Sequence, residues 1–420
     1  MNVIFDATII ANGFNKNASR SGIYNVAKNV LDQFLTRPDV NVWLYFMSEN
    51  IELAIRVHEE LYPKVPCVQN FYKYVKLIEL KKKLLELHQK LYARWIVRKF
   101  PALGIWLLNL FFKKTIECDC ESFAMKKTDC FFSPIYKVPN VIRKYDNIRS
   151  FVFLHDAIPI LYPDLSCASF ARDICESTLE NDTIFYNSNY TRLDFERLYP
   201  KLKKCRMQII PLAASEQFKI ERDEYKSLRV KEKYNIPKNK KYVFSLCSLA
   251  PHKNLERCLR SFVRFVKKND VNDLILILGG GSLAGFVEKL KKKGVFFDSD
   301  FTQHIGYVDD EDLPILYSNA EWFVYTSQYE GFGLPPLEAM QCVCPVITSN
   351  NSSLPEVVGD AGIMIDWDSD EQHIEAFEKY YFDEKMRKEN GRKGLERAKM
   401  FSWKKTADAI VQSMLCKLHS

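Results

Sequence analysis

The chain has 420 residues, of which 47% are apolar and 27% charged, and it carries a formal net charge of +7. That length is too great for one ordinary domain and comfortable for two, and the composition leaves no case for disorder. The charge is uneven: between Asn70 and Ile116 eleven lysines and arginines face two glutamates, so the positive excess belongs to one segment.

In chain order, Met1-Asn2-Val3-Ile4-Phe5-Asp6 predicts a short strand over Val3 to Phe5 and lacks the basic and long apolar stretches of a secretion signal. A polar loop from Asn12 to Ser21 ends at Gly22. Ile23, Val26, Val30, Leu31 and Phe34 then recur at helical spacing. Val40 to Phe46 alternates and reads as a second strand, the β-loop-α-β start of an open parallel sheet.

Residues 70–116 interrupt this pattern. Leu77, Leu80, Leu84, Leu87 and Leu91 recur at steps of three and four, with Lys81, Lys82, Lys83 and Lys90 between them, which predicts a basic amphipathic helix inserted in the first domain. Such a helix suits the surface of an anionic membrane, and it suits equally a leucine face packed on the protein or on a second subunit. A basic segment also attracts nucleic acid, but no nucleic-acid partner is expected. The most apolar run, Gly104 to Phe112, is shorter than the about 20 residues that cross a bilayer. The chain is therefore expected in the cytoplasm, at most peripheral on the inner face of the membrane.

The alternation resumes with strands at Cys130 to Phe132, Ser150 to Leu154, Thr183 to Tyr186 and Met207 to Ile210. The charged, irregular stretch from Leu212 to Lys240 marks a domain boundary, giving domains over 1–215 and 216–400 and a last helix in 401–420. In the second half, strands are predicted at Tyr242 to Cys247, Leu274 to Leu278, His304 to Ile305, Trp322 to Tyr325, Pro345 to Thr348 and Gly362 to Ile365. Helices are predicted at Leu255 to Val266, Phe286 to Lys293, Leu313 to Ser318 and Pro335 to Gln341. Repeated strand-loop-helix units mean a second doubly wound sheet, so the fold class is α/β with two Rossmann-like domains. Twelve cysteines include no C-x-x-C pair and read as reduced, mostly buried thiols.

The stretch from Ser327 to Met340 carries the strongest chemical signal. A buried strand runs out at Tyr325, Gly331 and Gly333 permit close backbone approach, and Pro335 sits just inside a new helix. Free amides at such a helix start suit a diphosphate or sugar hydroxyls. Glu330 and Glu338, one in the loop and one in the helix, can grip two different polyols; a capping loop with an acidic first turn would look the same. Lys253, between a strand and a helix, can neutralise a phosphate held there, or be an ordinary surface lysine in a turn. His155 stands at the C-terminal end of an apolar strand, the edge where open α/β sheets bind ligands, although a lone histidine after a strand is more often structural. Gly279-Gly280-Gly281 approximates a dinucleotide turn, with Asp298 about 20 residues on, but falls too late in its domain and reads as a tight turn near a nucleotide. Asp298-Ser299-Asp300 is short enough to arise by chance, and no metal site is expected.

The Glu330 to Glu338 stretch resembles the E-x7-E element of the family-4 glycosyltransferases, retaining enzymes of the GT-B fold. The flanking segments Val308 to Tyr317 and Pro345 to Gly362 resemble that family's too, as does Phe401-Ser402-Trp403 before a last helix. The resemblance is good over about residues 150 to 415, looser over 1 to 45, and nearly absent between 48 and 128. It implies that Glu338 holds the ribose of a nucleotide sugar, that Glu330 lies beside the donor sugar, and that the amides of Phe332, Gly333 and Leu334 meet sugar and phosphates. Pro251-His252-Lys253-Asn254 resembles the family's basic phosphate clamp, with His252 where an arginine is usual and Cys247-Ser248 where a further arginine often stands. By the same resemblance His155 faces the donor sugar, Asp156 orients its loop, and Gly22 lets the N-terminal loop approach the ligands. The implied activity is metal-independent transfer of a hexose, leaning to mannose, from a nucleoside diphosphate sugar with retention and without a cofactor. The implied acceptor is a saccharide, polyprenyl-linked in cell-surface polysaccharide assembly. A catalytically silent nucleotide-sugar-binding homologue and a transferase for a soluble sugar are the alternatives. The last helix is expected to cross back to the first domain.

Overall fold

The computed structural model describes residues 1–14, 22–47, 51–70, 75–90, 102–109, 122–162, 170–246, 250–280 and 300–418. Two six-stranded parallel sheets organise them. The first contains β1 (Asn2–Asp6), β2 (Asn41–Tyr45), β3 (Cys130–Ser133), β4 (Arg149–Leu154), β5 (Thr183–Tyr186) and β6 (Arg206–Ile209), in the order β2-β1-β3-β4-β5-β6. The second contains β7 (Lys241–Leu246), β8 (Leu274–Gly279), β9 (Thr302–Gly306), β10 (Phe323–Tyr325), β11 (Val346–Ser349) and β12 (Ile363–Ile365), in the order β12-β11-β10-β7-β8-β9. Strands such as β8, Leu-Ile-Leu-Ile-Leu-Gly, are buried along their whole length, as expected where helices cover both faces of a parallel sheet.

The strand orders place the site. In each sheet the chain reverses its direction of growth once, between β1 and β3 in the first and between β7 and β10 in the second. Open α/β sheets bind ligands beyond the carboxyl ends of the strands at such switch points. Lys253 follows β7 and Glu330 follows β10, so the two residues singled out for the leaving group and the sugar flank the second switch point.

The helices follow their apolar spacing. Leu255–Lys268 buries Leu255, Cys258, Leu259, Phe262, Phe265 and Val266 on one face. Its Phe262 ring meets Phe377 edge-on at 5.6 Å, on the Asp370–Phe382 helix. Trp403–Leu418 packs back on Gly22–Leu35. Thr406 Oγ1 donates to the Pro211 carbonyl at 2.7 Å, and Arg37 pairs with Asp408.

Two expectations need correction. The charged stretch from Leu212 to Lys240 is not irregular throughout: Glu224–Lys233 is a helix, capped by Asp223 accepting from the Lys226 amide. Only Val230 of that helix is buried, so the sequence shows no apolar stripe to reveal it. The basic Val75–Lys90 helix lies between β2 and β3 in sequence, but its leucines do not form one packed face. Ile78 is buried and Leu77 packs on the first domain's core, whereas Leu80, Leu85 and Leu87 are exposed. The predicted Phe286 to Lys293 helix, the Gly281 to Asp298 turn and motif, Leu91, Ser19 to Ser21 and Cys247-Ser248 lie outside the described residues. No described helix is long and apolar enough to cross a membrane.

Candidate active site

Lys253 closes a short 3-10 turn, Pro251–Lys253, that leads out of the second switch point. Asn254 next to it adopts φ 58°, the left-handed region that asparagine tolerates best after glycine. Its side-chain amide donates to the carbonyls of Thr326 (3.0 Å) and Trp367 (2.6 Å). Asn254 therefore fixes the turn to β10 and β12, and both its amide protons are committed to backbone rather than offered to a donor.

Held this way, the Lys253 ammonium lies 2.7 Å from Glu330 Oε1 and 2.9 Å from the Tyr325 hydroxyl, with its side chain 14% and that of Glu330 10% exposed. Burial would lower the lysine, but the Glu330 carboxylate and the Tyr325 hydroxyl outweigh it and the net shift is upward. The pair is thus a fixed charge couple at the mouth of β7 and β10.

The Glu330 loop is held through its backbone. The Glu330 amide donates to Ser352 Oγ at 3.1 Å, while Ser353 Oγ lies within hydrogen-bond reach of the carbonyls of Glu330 (2.9 Å) and Phe332 (2.8 Å). Gly331 is pressed against the first domain: a Cβ there would overlap the His155 carbonyl oxygen and come 2.7 Å from the Asp156 Cβ. Gly333 has φ +116° and opens the Leu334–Gln341 helix. Pro335 and Pro336 lack N–H groups, so the amides at this helix start are those of Phe332, Gly333 and Leu334. The Phe332 side chain turns away, packing edge-on against Phe401 at 5.9 Å.

Glu338, one turn on, accepts from the Tyr317 hydroxyl at 3.2 Å. Burial pushes its carboxyl up to about 7. Across the cleft, His155 is buried at the end of β4 and stacks on Phe153, ring centroids 4.5 Å apart. Its Nε2 is 2.7 Å from the Pro134 carbonyl, which only accepts, so Nε2 carries the proton and Nδ1 keeps its lone pair. Burial lowers this imidazole to about 4, and it is neutral at physiological pH. Asp156 accepts from the Ile158 amide at 2.9 Å, and burial raises it to about 6. His252 is buried beside Tyr162 and shifted down, first by burial and then by Lys253, so it supplies no charge in place of the arginine usual there. Its Nδ1 is buried without a hydrogen-bond partner. Gly22 reaches Leu334: a Cβ on it would sit 3.7 Å from the leucine Cδ1.

The structure thus brings His155, Asp156, Lys253, Glu330 and Gly331 together, with Glu338 farther along the Leu334–Gln341 helix and Gly22 opposite its start. Sequence reasoning missed Tyr325, Tyr317, Ser352, Ser353, Ser188 and Thr191, which hold these residues in place. A hydroxyl that bonds a distant carbonyl leaves no local sequence signal.

The family profile for glycosyl transferases group 1 matches residues 227–397, the second sheet and its helices. The O-antigen chain mannosyltransferase B of Escherichia coli is 31% identical over 282 residues, 64% of this chain and 71% of that protein. The serotype-specific mannosyltransferase WbdA of Escherichia coli is 28% identical over 287 residues, 66% of this chain but only 34% of that longer protein. Among solved structures, Anabaena HepE in complex with UDP-glucose superposes with a TM-score of 0.62 at 13% identity, covering 99% of this chain and 100% of that one. The chain belongs to the glycosyl transferases group 1 family, with the GT-B fold.

Proposed function

We propose that this glycosyltransferase moves mannose from a nucleoside diphosphate sugar, with retention at the anomeric carbon, to a saccharide carried on a polyprenyl lipid during cell-surface polysaccharide assembly. The observation that carries it is the Lys253–Glu330 couple at the second switch point, with the His155–Asp156 turn of the first domain packed against Gly331 beside it. The names of the two Escherichia coli relatives support mannose, that of the first supports an O-antigen product, and the UDP-glucose held by HepE supports a nucleotide sugar.

In this reading the arriving diphosphate competes for the Lys253 ammonium and frees the Glu330 carboxylate to meet the sugar. The bond from C1 to the phosphate oxygen breaks with its electron pair leaving on the phosphate, where Lys253 and the amides of Phe332 to Leu334 balance the new charge. The acceptor hydroxyl attacks C1 from the same face and gives its proton to the departing phosphate oxygen. Glu330 steadies the positive charge that develops at C1, and the Nδ1 lone pair of His155 accepts from a sugar hydroxyl. Glu338 holds the ribose, and Asp156 fixes the turn that presents His155. Lys253 performs the charge neutralisation, so the reaction is metal-independent and needs no cofactor.

The acceptor reading extends to the basic segment. Leu103, Trp106 and Leu107 are each more than half exposed, and Leu84 packs against Gly104, so residues 102–109 lie beside the Val75–Lys90 helix. Exposed leucines and a tryptophan next to Lys81, Lys82 and Lys83 suit the interface of an anionic membrane. Sedimentation with anionic vesicles, and its loss in a Leu103→Ser, Trp106→Ser, Leu107→Ser variant, tests that contact; equal binding by both proteins, or by neither, rejects it. Nucleotide release from a panel of UDP-, GDP-, dTDP- and ADP-sugars, with and without lipid extract, tests the chemistry. One sugar nucleotide should be consumed by the wild type and not by Glu330→Ala. Turnover that survives Glu330→Ala defeats the assignment.

A further inference from the structure

The Asn189–Leu198 helix of the first domain starts with amides its own turns cannot satisfy. The third, on Thr191, donates to Ser188 Oγ at 3.0 Å, the ordinary capping arrangement. The first two, on Asn189 and Tyr190, donate to Oε2 and Oε1 of Glu356, each at 2.8 Å. Glu356 belongs to the other domain, on the short Leu354–Val358 helix that follows β11. A carboxylate from one domain thus completes the cap of a helix in the other, where two amides and the positive helix end both favour it.

Both sides of this contact are tied to the Glu330 loop. Glu356 stands three residues beyond Ser353, whose hydroxyl reaches the carbonyls of Glu330 and Phe332. Its own backbone carbonyl is anchored by Arg397 Nη2 at 2.7 Å. On the first-domain side, the hydroxyls of Ser188 (2.9 Å) and Thr191 (3.0 Å) lie within hydrogen-bond reach of the Gly331 carbonyl, and Asp194 accepts from the Tyr329 hydroxyl at 2.9 Å. Residues 329 to 331 are gripped by the cap and first two turns of the first-domain helix. The Glu356 bonds are exposed, so water can replace them when the domains part; the Gly331 contacts are buried and exist only when they meet.

We propose that Glu356 is a positioning residue for sugar transfer: by capping the Asn189–Leu198 helix across the cleft, it latches the domains shut with the Glu330 loop aligned between them. The proposal rests on the transferase reading above. Both Glu356 carboxylate oxygens are taken up by the Asn189 and Tyr190 amides, so its removal acts on the closed geometry rather than on nucleotide contacts in the second domain.

The test uses the full chain and compares wild type with Glu356→Ala, Glu356→Asp and Thr191→Val. The last removes a hydroxyl from the same grip while keeping the side-chain shape. Steady-state transfer, the dissociation constant of the product nucleoside diphosphate, the thermal midpoint and the radius of gyration with and without that nucleotide are measured. For Glu356→Ala we expect kcat to fall about tenfold or more, the size of a lost charge-assisted contact, with nucleotide affinity changed less than about threefold. The nucleotide-bound form should be more expanded than the wild type. Glu356→Asp should restore part of kcat, and Thr191→Val should lower kcat in the same sense. Wild-type kcat in Glu356→Ala overturns the latch, as does a parallel loss of kcat, nucleotide affinity and thermal midpoint, which marks a folding lesion. If the wild type turns over no donor, it is the transferase reading that fails; the scattering comparison still decides the latch, and equal compaction of wild type and Glu356→Ala refutes it.

Discussion

Replacing Lys253 by methionine should damage stability and turnover separably. The ammonium is the cation paired with Glu330, and the two side chains are 14% and 10% exposed. Methionine fills most of the lysine's volume but leaves a carboxylate nearly dry and unpaired. Breaking a buried pair from one side costs about 3 kcal/mol or more. In a domain of this size that corresponds to a midpoint lowered by roughly 6 to 12 °C. Changing Glu330 to glutamine as well removes the stranded charge, so the Lys253→Met/Glu330→Gln double variant should recover most of the lost stability. It should not recover turnover, because the leaving diphosphate has lost its cation; removing one such stabilising group costs roughly 100- to 1,000-fold in rate. Thermal melts of the four proteins in the cycle, with nucleotide release from the preferred donor, read both quantities. A single variant as stable as the wild type would show that the pair is solvated and not as drawn. A double variant that stays unstable would show that packing rather than charge is at fault.

Further outcomes follow from the same geometry. Gly331→Ala should abolish turnover, because its methyl would enter the space of the His155 carbonyl; an active Gly331→Ala enzyme would mean that the cleft does not close at this point. Burial holds the carboxyls of Asp6 and Asp156 at about 6 and that of Glu338 at about 7, so the native state keeps protons that the unfolded chain has released. Stability should therefore fall as pH rises from the ordinary carboxylate range to about 7. Urea midpoints at several pH values should show this fall, and Glu338→Gln should lessen it; parallel curves would contradict the burial argument. With Glu338 holding ribose as a carboxylate, nucleotide affinity should also rise with pH through about 7 in the wild type and stay flat in Glu338→Gln. The His155 imidazole should remain neutral down to about pH 5, seen as an NMR titration midpoint near 4; a midpoint at the ordinary histidine value would show an open, wet cleft.

Much of the second domain was legible because its strands are short apolar runs broken by glycine, proline and polar turns. The predicted Leu255 to Val266 and Pro335 to Gln341 helices lie within or one residue from the observed Leu255–Lys268 and Leu334–Gln341. The Glu224–Lys233 helix was hidden because a surface helix with one buried side chain has no periodicity to read. Spacing suggested a clean leucine face on the basic helix, but burial divides it: Ile78, which the leucine spacing skipped, is the side chain that goes inside. At the site, spacing and resemblance picked out Lys253, Glu330 and His155, yet gave no hint that the lysine and the glutamate bind one another. That contact depends on the adjacency of β7 and β10, strands separated by two others in sequence. Asn254 has a part that spacing did not reveal: its left-handed backbone and two carbonyl partners make it the splint that holds the clamp.

The returning Trp403–Leu418 helix has a consequence for how this chain is born. Trp403, Ala407, Ile410, Val411 and Met414 are buried, and the carbonyl of Pro211 waits for the hydroxyl of Thr406, 195 positions downstream. The first sheet is synthesised early, but the apolar flank of Gly22–Leu35 has no cover until nearly the whole second domain has left the ribosome. A ribosome stalled in the second domain would therefore present a first domain with a sticky open side, the half of the molecule most in need of a chaperone although it is made first.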